Sequence, residues 1–157
     1  MTLQRRTIDI TKEEATAQFQ LGELHISPTG QHYRYMQADG VTVAANFMSY
    51  RPNTWQIEEL MDLTVTPADS EGAPICVPAL AMTDNYYAWV FVGPGTFTGT
   101  AAEECVADAI LYGHATAGGI GDTASALLLR GVTAPVTVTT GTGTFYASQP
   151  MYAEDLP

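Results

Sequence analysis

Asn85-Tyr86-Tyr87-Ala88-Trp89-Val90-Phe91-Val92 is closed by Gly93-Pro94-Gly95. Aromatic and β-branched side chains occupy both alternating sets of this run, which is the pattern of a strand buried on both faces. Gly-Pro-Gly continues neither a helix nor a hydrogen-bonded ladder, so the strand must stop there. The run holds no nucleophile, base or metal ligand. It builds a core and performs no reaction.

Working outward, turn residues divide the rest of the chain into short extended segments. Glu23–Ser27 and Gln31–Met36 flank Pro28-Thr29-Gly30 and read as a hairpin, and Asp39-Gly40 marks a second turn. Val41 to Tyr50 fits either a short strand or a helical turn. Trp55, Ile57, Met61, Leu63 and Val65 keep a period of two that is broken at Glu59, which favours a strand over a rival helix at Gln56–Leu63. Pro67 to Pro74 reads as an exposed loop. Ile75–Met82 reads as a strand confined to an edge by Pro74 and Pro78, and Thr83-Asp84 turns it into the Tyr86–Val92 run.

Ten of the fourteen glycines lie beyond Val92. They help separate β segments at about Thr96–Thr100, Ala107–Leu111, Ala124–Leu129, Val136–Thr140 and Thr144–Tyr152, roughly the spacing of a sandwich or barrel. Twenty-one threonines against a single lysine also favour sheet over helix. The expected fold is mainly β: a compact antiparallel β-barrel or β-sandwich over 22–152, an amino-terminal arm over 1–21 and a polar tail over 153–157. Within the arm, Thr11-Lys12-Glu13-Glu14 has the spacing of a capping box and predicts a short helix from Lys12 to Gln20, ended by Gly22.

A chain of 157 residues buries enough surface to fold without disulfides or metals. No apolar run approaches the ~18 residues of a membrane span, and the polar amino terminus lacks a signal-peptide core, so synthesis in a cytoplasm and no membrane partner are expected. Cys76 and Cys105 are then expected to be reduced, inert thiols. Seventeen acidic residues face six basic ones, a net charge of −11, which makes nucleic acid a poor partner. Arg5, Arg6 and Lys12 against Asp9 give the first twelve residues +2 and leave −13 on the remainder. A basic arm on an acidic body is suited to docking on an acidic neighbour, another copy included, so Arg5, Arg6 and Lys12 are the candidate partner-binding residues.

Residues for chemistry do not converge. His25 and His32 are the nearest approach to a metal pair, as cross-strand neighbours on the first hairpin, but no third ligand is close in sequence. Ser27, Ser49, Ser70, Ser125 and Ser148 lie in no nucleophile elbow. Cys105 follows Glu103-Glu104, which disfavours its thiolate. Gly118-Gly119-Ile120-Gly121-Asp122 resembles one turn of a calcium-binding repeat in a single copy, and Gly141-Thr142-Gly143 lacks the lysine of a phosphate loop; both read as turns. Tyr33 and Tyr35 alternate with Arg34, an arrangement able to stack bases, but the acidity argues for a core face with a snorkelling arginine. The expectation is no enzyme, no cofactor and no metal.

Leu21-Gly22-Glu23, Pro28-Thr29-Gly30-Gln31-His32-Tyr33-Arg34-Tyr35, Ala38-Asp39-Gly40 and Ala44-Ala45-Asn46 together resemble the opening of small head structural proteins of tailed bacteriophages. Tyr86 to Gly95, Ala107-Asp108-Ala109-Ile110-Leu111 and Ala115-Thr116-Ala117-Gly118 look like their central strand and following hairpins, so the likeness spans Leu21 to Val132. It implies a capsid decoration or cement protein of the virion: a compact β domain, often a trimer, that clamps neighbouring major capsid protein subunits on the outside of the head. The stretch Tyr50–Pro74 and the arginine-bearing arm depart from the pattern. Alternatives are a tail, neck or fibre component and a small carbohydrate-binding module. Trp55 and Trp89 would be the module's platforms, though alternation places both inside.

Overall fold

A computed structural model describes residues 7–40, 42–60, 74–125 and 127–155. Its described elements are all strands. The first hairpin forms as expected, β1 (Leu24–Ile26) running antiparallel to β2 (His32–Ala38) with His25 opposite Tyr33 and Ile26 opposite His32. On its other side β2 pairs along its length with β6 (Tyr87–Phe91), Tyr35 opposite Trp89. The end of β2 also pairs in parallel with β4 (Gln56–Leu60), which continues antiparallel to β3 (Met48–Arg51) and then β5 (Ile75–Cys76).

This sheet curls back on itself. Val77, the residue after β5, exchanges both backbone hydrogen bonds with Phe91 at 2.9 and 3.3 Å. The curl encloses a small core of Met36, Ala38, Met48, Ile57, Cys76, Met82, Ala88, Val90 and Val92. The remaining strands form a closed barrel, in the order β10 (Leu127–Thr133), β11 (Gly141–Asp155), β7 (Gly95–Ala101), β9 (Ile120–Gly121) and β8 (Tyr112–Gly113). The other faces of β2 and β6, bearing Tyr33, Tyr35, Trp89 and Phe91, share one core with barrel residues such as Phe97, Phe145 and Leu129. Phe91 stacks on Phe97 at 4.6 Å, and Phe47 meets Phe97 and Phe145 edge-on. Thus β6 is buried on both faces, Ala88 and Val90 toward one core and Trp89 and Phe91 toward the other.

Gly93-Pro94-Gly95 is the corner where the chain leaves the curled sheet and enters the barrel. Gly93 and Gly95 take φ of +78° and +124°, a region that penalises any Cβ. A Cβ on Gly93 would also lie 2.8 Å from the Gln149 carbonyl oxygen in β11, and one on Gly95 2.8 Å from Gln31 Cγ.

Several expectations are corrected. No helix forms over Lys12–Gln20: the capping-box carboxylates turn away from the local backbone, Glu13 accepting from Thr83 and Glu14 from Tyr35. The backbone of Glu14 instead exchanges hydrogen bonds with Tyr87 at 2.8 and 2.9 Å. Ala107–Leu111 is a turn, because Asp108 adopts φ +60° and its N–H donates to Ala134 O; the strand comes after it, as β8. Val136–Thr140 contributes only a bridge between Val138 and Cys105, Pro135 beside it having no N–H to give. The edge strand at Ile75–Met82 shortens to Ile75–Cys76 plus the Val77 bridge, and β11 runs past Tyr152, Ala153–Asp155 pairing with Leu127–Leu129. Gln56–Leu60 is strand as expected, and the loop expected at Pro67–Pro74 lies outside the described residues up to Pro74.

The corner makes a testable distinction. Gly30 shares the left-handed backbone (φ +86°), but the space a Cβ would take there has nothing within 4 Å. Gly30→Ala is expected to cost about 1 kcal/mol, backbone strain alone, and Gly93→Ala clearly more, about 2–3 kcal/mol, as the strain is joined by a backbone clash. Urea unfolding of the two variants checks the order.

Candidate functional site

Of the three candidate partner-binding residues, Arg5 and Arg6 lie outside the described residues. Lys12 is placed on the surface with its side chain 65% exposed, its ammonium 3.6 Å from the Glu14 carboxylate. The structure therefore shows the root of the arm, and the root is a strap laid over the aromatic face of β2 and β6.

The strap is fastened from Glu13 onward. The Glu13 carboxylate accepts from the Thr83 N–H at 2.6 Å and the Thr83 hydroxyl at 2.9 Å. Tyr35 donates its phenol proton to Glu14 Oε2 at 2.7 Å and accepts from the Gln18 N–H at 3.1 Å. Phe19 sets its ring edge-on to both Tyr35 and Trp89 at 5.1 Å. The segment ends where the Gly22 N–H donates to Tyr35 O. Tyr35 is fully buried, and its phenol is pushed up to about 12, by burial first and by the adjacent Glu14 carboxylate as well. Trp89 is buried too, with no acceptor for its indole N–H among the described residues.

Residues 7–12 are held differently. Ile8 and Ile10 pack partly buried against the core. Asp9 bonds locally to the Thr11 N–H and hydroxyl, which holds its carboxyl below its usual range. Three clefts open along this segment. One of about 470 Å³ lies between Ile10, Tyr33, Phe91 and Phe97; one of about 300 Å³ between Thr7, Ile8, His25 and Ile26; a third of about 170 Å³ between Asp9, Lys12, Phe19 and Trp89. The strap thus covers an aromatic face with a tight half and a loosely packed half.

The other candidate groups are absorbed by structure. His25 faces Trp89, while His32 pairs with Ile26, so the two histidines project to opposite faces of the hairpin and form no pair. Cys76 and Cys105 are free and buried. Burial pushes both thiols up, that of Cys105 to about 11 with help from Asp122 and Glu103. Tyr33 and Tyr35 face the core, and Arg34 on the opposite face donates to Gly22 O and lies 4.6 Å over the Trp55 ring. Trp55 is half-buried rather than enclosed, because it sits in the turn after β3 at φ +58°, and Tyr50 stacks on it at 6.0 Å. Among the described residues no group of His, Cys, Asp or Glu is arranged to hold a metal ion.

Sequence reasoning missed Glu13, Glu14, Gln18 and Phe19 as the fasteners of this segment. The capping-box reading hid the glutamates, and only the isolated apolar Phe19 signalled a docked segment. Comparison with protein-family models, with curated proteins and with solved structures returned no significant match.

Two tests follow from the fastening. Tyr35→Phe removes one donor to Glu14 and one acceptor for Gln18, with an expected loss of about 1–2 kcal/mol in urea unfolding. The raised phenol and thiol also fix an alkaline limit. For each, the folded value lies above the ordinary one, so its contribution is intact below the ordinary value and lost as pH rises through the folded value. Stability is therefore expected to fall above pH 9.0 through Cys76 and Cys105, the latter up to about 11, and from pH 10.0 to about 12 through Tyr35. The upper part of the fall should shrink in Tyr35→Phe.

Proposed function

We propose that the chain is a non-enzymatic structural protein of a tailed-phage head. In this reading it binds the outside of the capsid and strengthens contacts between major capsid subunits, with the arm as an attachment segment. The observation that carries the proposal is the strap: the segment that follows Arg5 and Arg6 in sequence is fastened over an aromatic face of an acidic β body. Support also comes from where the resembling motifs fall. Leu21-Gly22-Glu23 ends the strap, Pro28–Gly30 makes the first hairpin turn, and Tyr86 to Gly95 spans the doubly buried strand and the corner after it. The titratable groups the sequence singled out serve as fasteners and core, which suits a protein that works by being folded and attached. An extended arm gains affinity by adding backbone hydrogen bonds to a neighbour or by ordering on contact. As a component of tail, neck or fibre the same chain would sit elsewhere on the particle.

The test is a map of particles assembled with the wild-type chain and with a chain lacking residues 1–12, which retains Glu13 and Glu14. Density over the shell at symmetry-equivalent positions is expected with the wild type, and binding weakened by about tenfold with the truncation. Density confined to the neck or tail contradicts the head assignment, and undiminished occupancy of the truncated chain contradicts the role of the arm.

A further inference from the structure

One end of the closed barrel carries apolar side chains with no cover. The connection from β7 to β8 presents Val106 and Ile110, 45% and 63% exposed, and the connection from β10 to β11 presents Val136, 61% exposed. The two loops are tied into one surface. Cys105 and Val138 exchange backbone hydrogen bonds, Asp108 N–H donates to Ala134 O at 3.0 Å, and Ala107 N–H donates to the Thr137 hydroxyl. Cys105, Leu111 and Val138 close the core beneath it.

The rim is acidic. Glu103, Glu104 and Asp108 lie on the first loop and Asp122 follows β9, while residues 102–111, 122–125 and 134–140 contain no Lys, Arg or His. Glu103 and Asp122 are anchored, accepting from Thr123 and from the Val106 N–H respectively, and Glu104 and Asp108 are exposed. The field is felt below the surface, where Asp122 and Glu103 add to the upward shift of the Cys105 thiol. A ligand for this end needs aliphatic side chains and positive charge together.

The chain carries such a segment. Arg5-Arg6 is its one pair of adjacent cations, set between Leu3 and Ile8. Of the other four cations, Lys12 meets Glu14, Arg34 covers Trp55, Arg130 bonds Glu154 at 2.6 Å, and Arg51 has a partner as well. Reach decides whose patch the segment meets. Thr7 shares a cleft with Ile26, Ser27 and Gln31, and Gln31 donates to Thr96 O at the start of β7. The apolar patch begins only after the far end of β7, seven residues or about 20 Å away. Arg6 adjoins Thr7 and Arg5 lies one residue beyond, so backbone and side chain together extend only about 10–14 Å. Neither cation spans that distance to the acidic rim of its own molecule.

We infer that the Val106–Ile110–Val136 end of the barrel receives the Leu3–Arg6 segment of a second copy of this chain. The contact is head-to-tail, each copy offering a segment at one end and a receiving patch at the other. Such a contact closes into a ring when its rotation permits. It deepens the attachment reading of the arm, since it makes an adjacent copy one of the arm's partners, but it requires no shell.

The experiment is sedimentation velocity of the purified full chain without capsid, from about 5 to about 300 μM, for the wild type, R5E/R6E, E104K/D108K and an equimolar mixture of the two variants. The wild type is expected to associate, more weakly in about 1 M salt than in about 0.1 M salt. Each variant alone is expected to lose at least about tenfold in affinity, and the mixture to recover it, because each arm then faces a patch of opposite charge. All substituted side chains lie at exposed or terminal positions, and circular dichroism confirms folding of each sample. A monomeric wild type, association untouched by either variant, or a mixture no better than its components overturns the inference. Capsid occupancy remains a separate readout, so failure here and failure of the shell-binding proposal are distinguishable.

Discussion

Everything else in the molecule hangs on the burial of β6 from both sides. Ala88, Val90 and Val92 complete the core of the curled sheet, while Trp89 and Phe91 complete the larger core shared with the barrel. Both edges are used as well: β2 pairs along one, and Glu14 and Val77 occupy the ends of the other. A strand in that position has no face left for solvent, which explains its nearly unbroken apolar composition. It also makes the two halves interdependent, because one strand supplies alternate side chains to both cores.

From that strand the route to the candidate function is short. The strap lies over Trp89 and Tyr35, whose rings project from β6 and β2 on the barrel side, and Phe19 packs edge-on against both. Glu14 joins the sheet at Tyr87, the first residue of β6, and Glu13 is held by Thr83 just before it. The strap is therefore fastened on the strand that both cores share.

The sequence disclosed this architecture unevenly, for physical reasons. The doubly buried strand, the first hairpin and the corner at Gly93–Gly95 were legible because each depends on local chemistry: alternation, turn residues and a proline that cannot pair. The strap was misread because Thr11-Lys12-Glu13-Glu14 satisfies a local helix rule, and the winning partners, Thr83 and Tyr35, are remote in sequence. The turn at Ala107–Leu111 was missed since an Asp at positive φ leaves no mark on the hydrophobic pattern. The receiving patch was invisible for the same reason, as its apolar residues come from loops that only the Cys105–Val138 bridge brings together.

Amide hydrogen exchange under native conditions, resolved by residue, tests the dependence on β6 most directly. If one strand completes both cores, the amides of Ala88, Val90 and Phe91 and those of Phe97 and Phe145 in the barrel should exchange only through global opening, with the same free energy and the same denaturant dependence. Protection of β6 and β2 that is lost well before that of the barrel would show two independent halves and contradict the account.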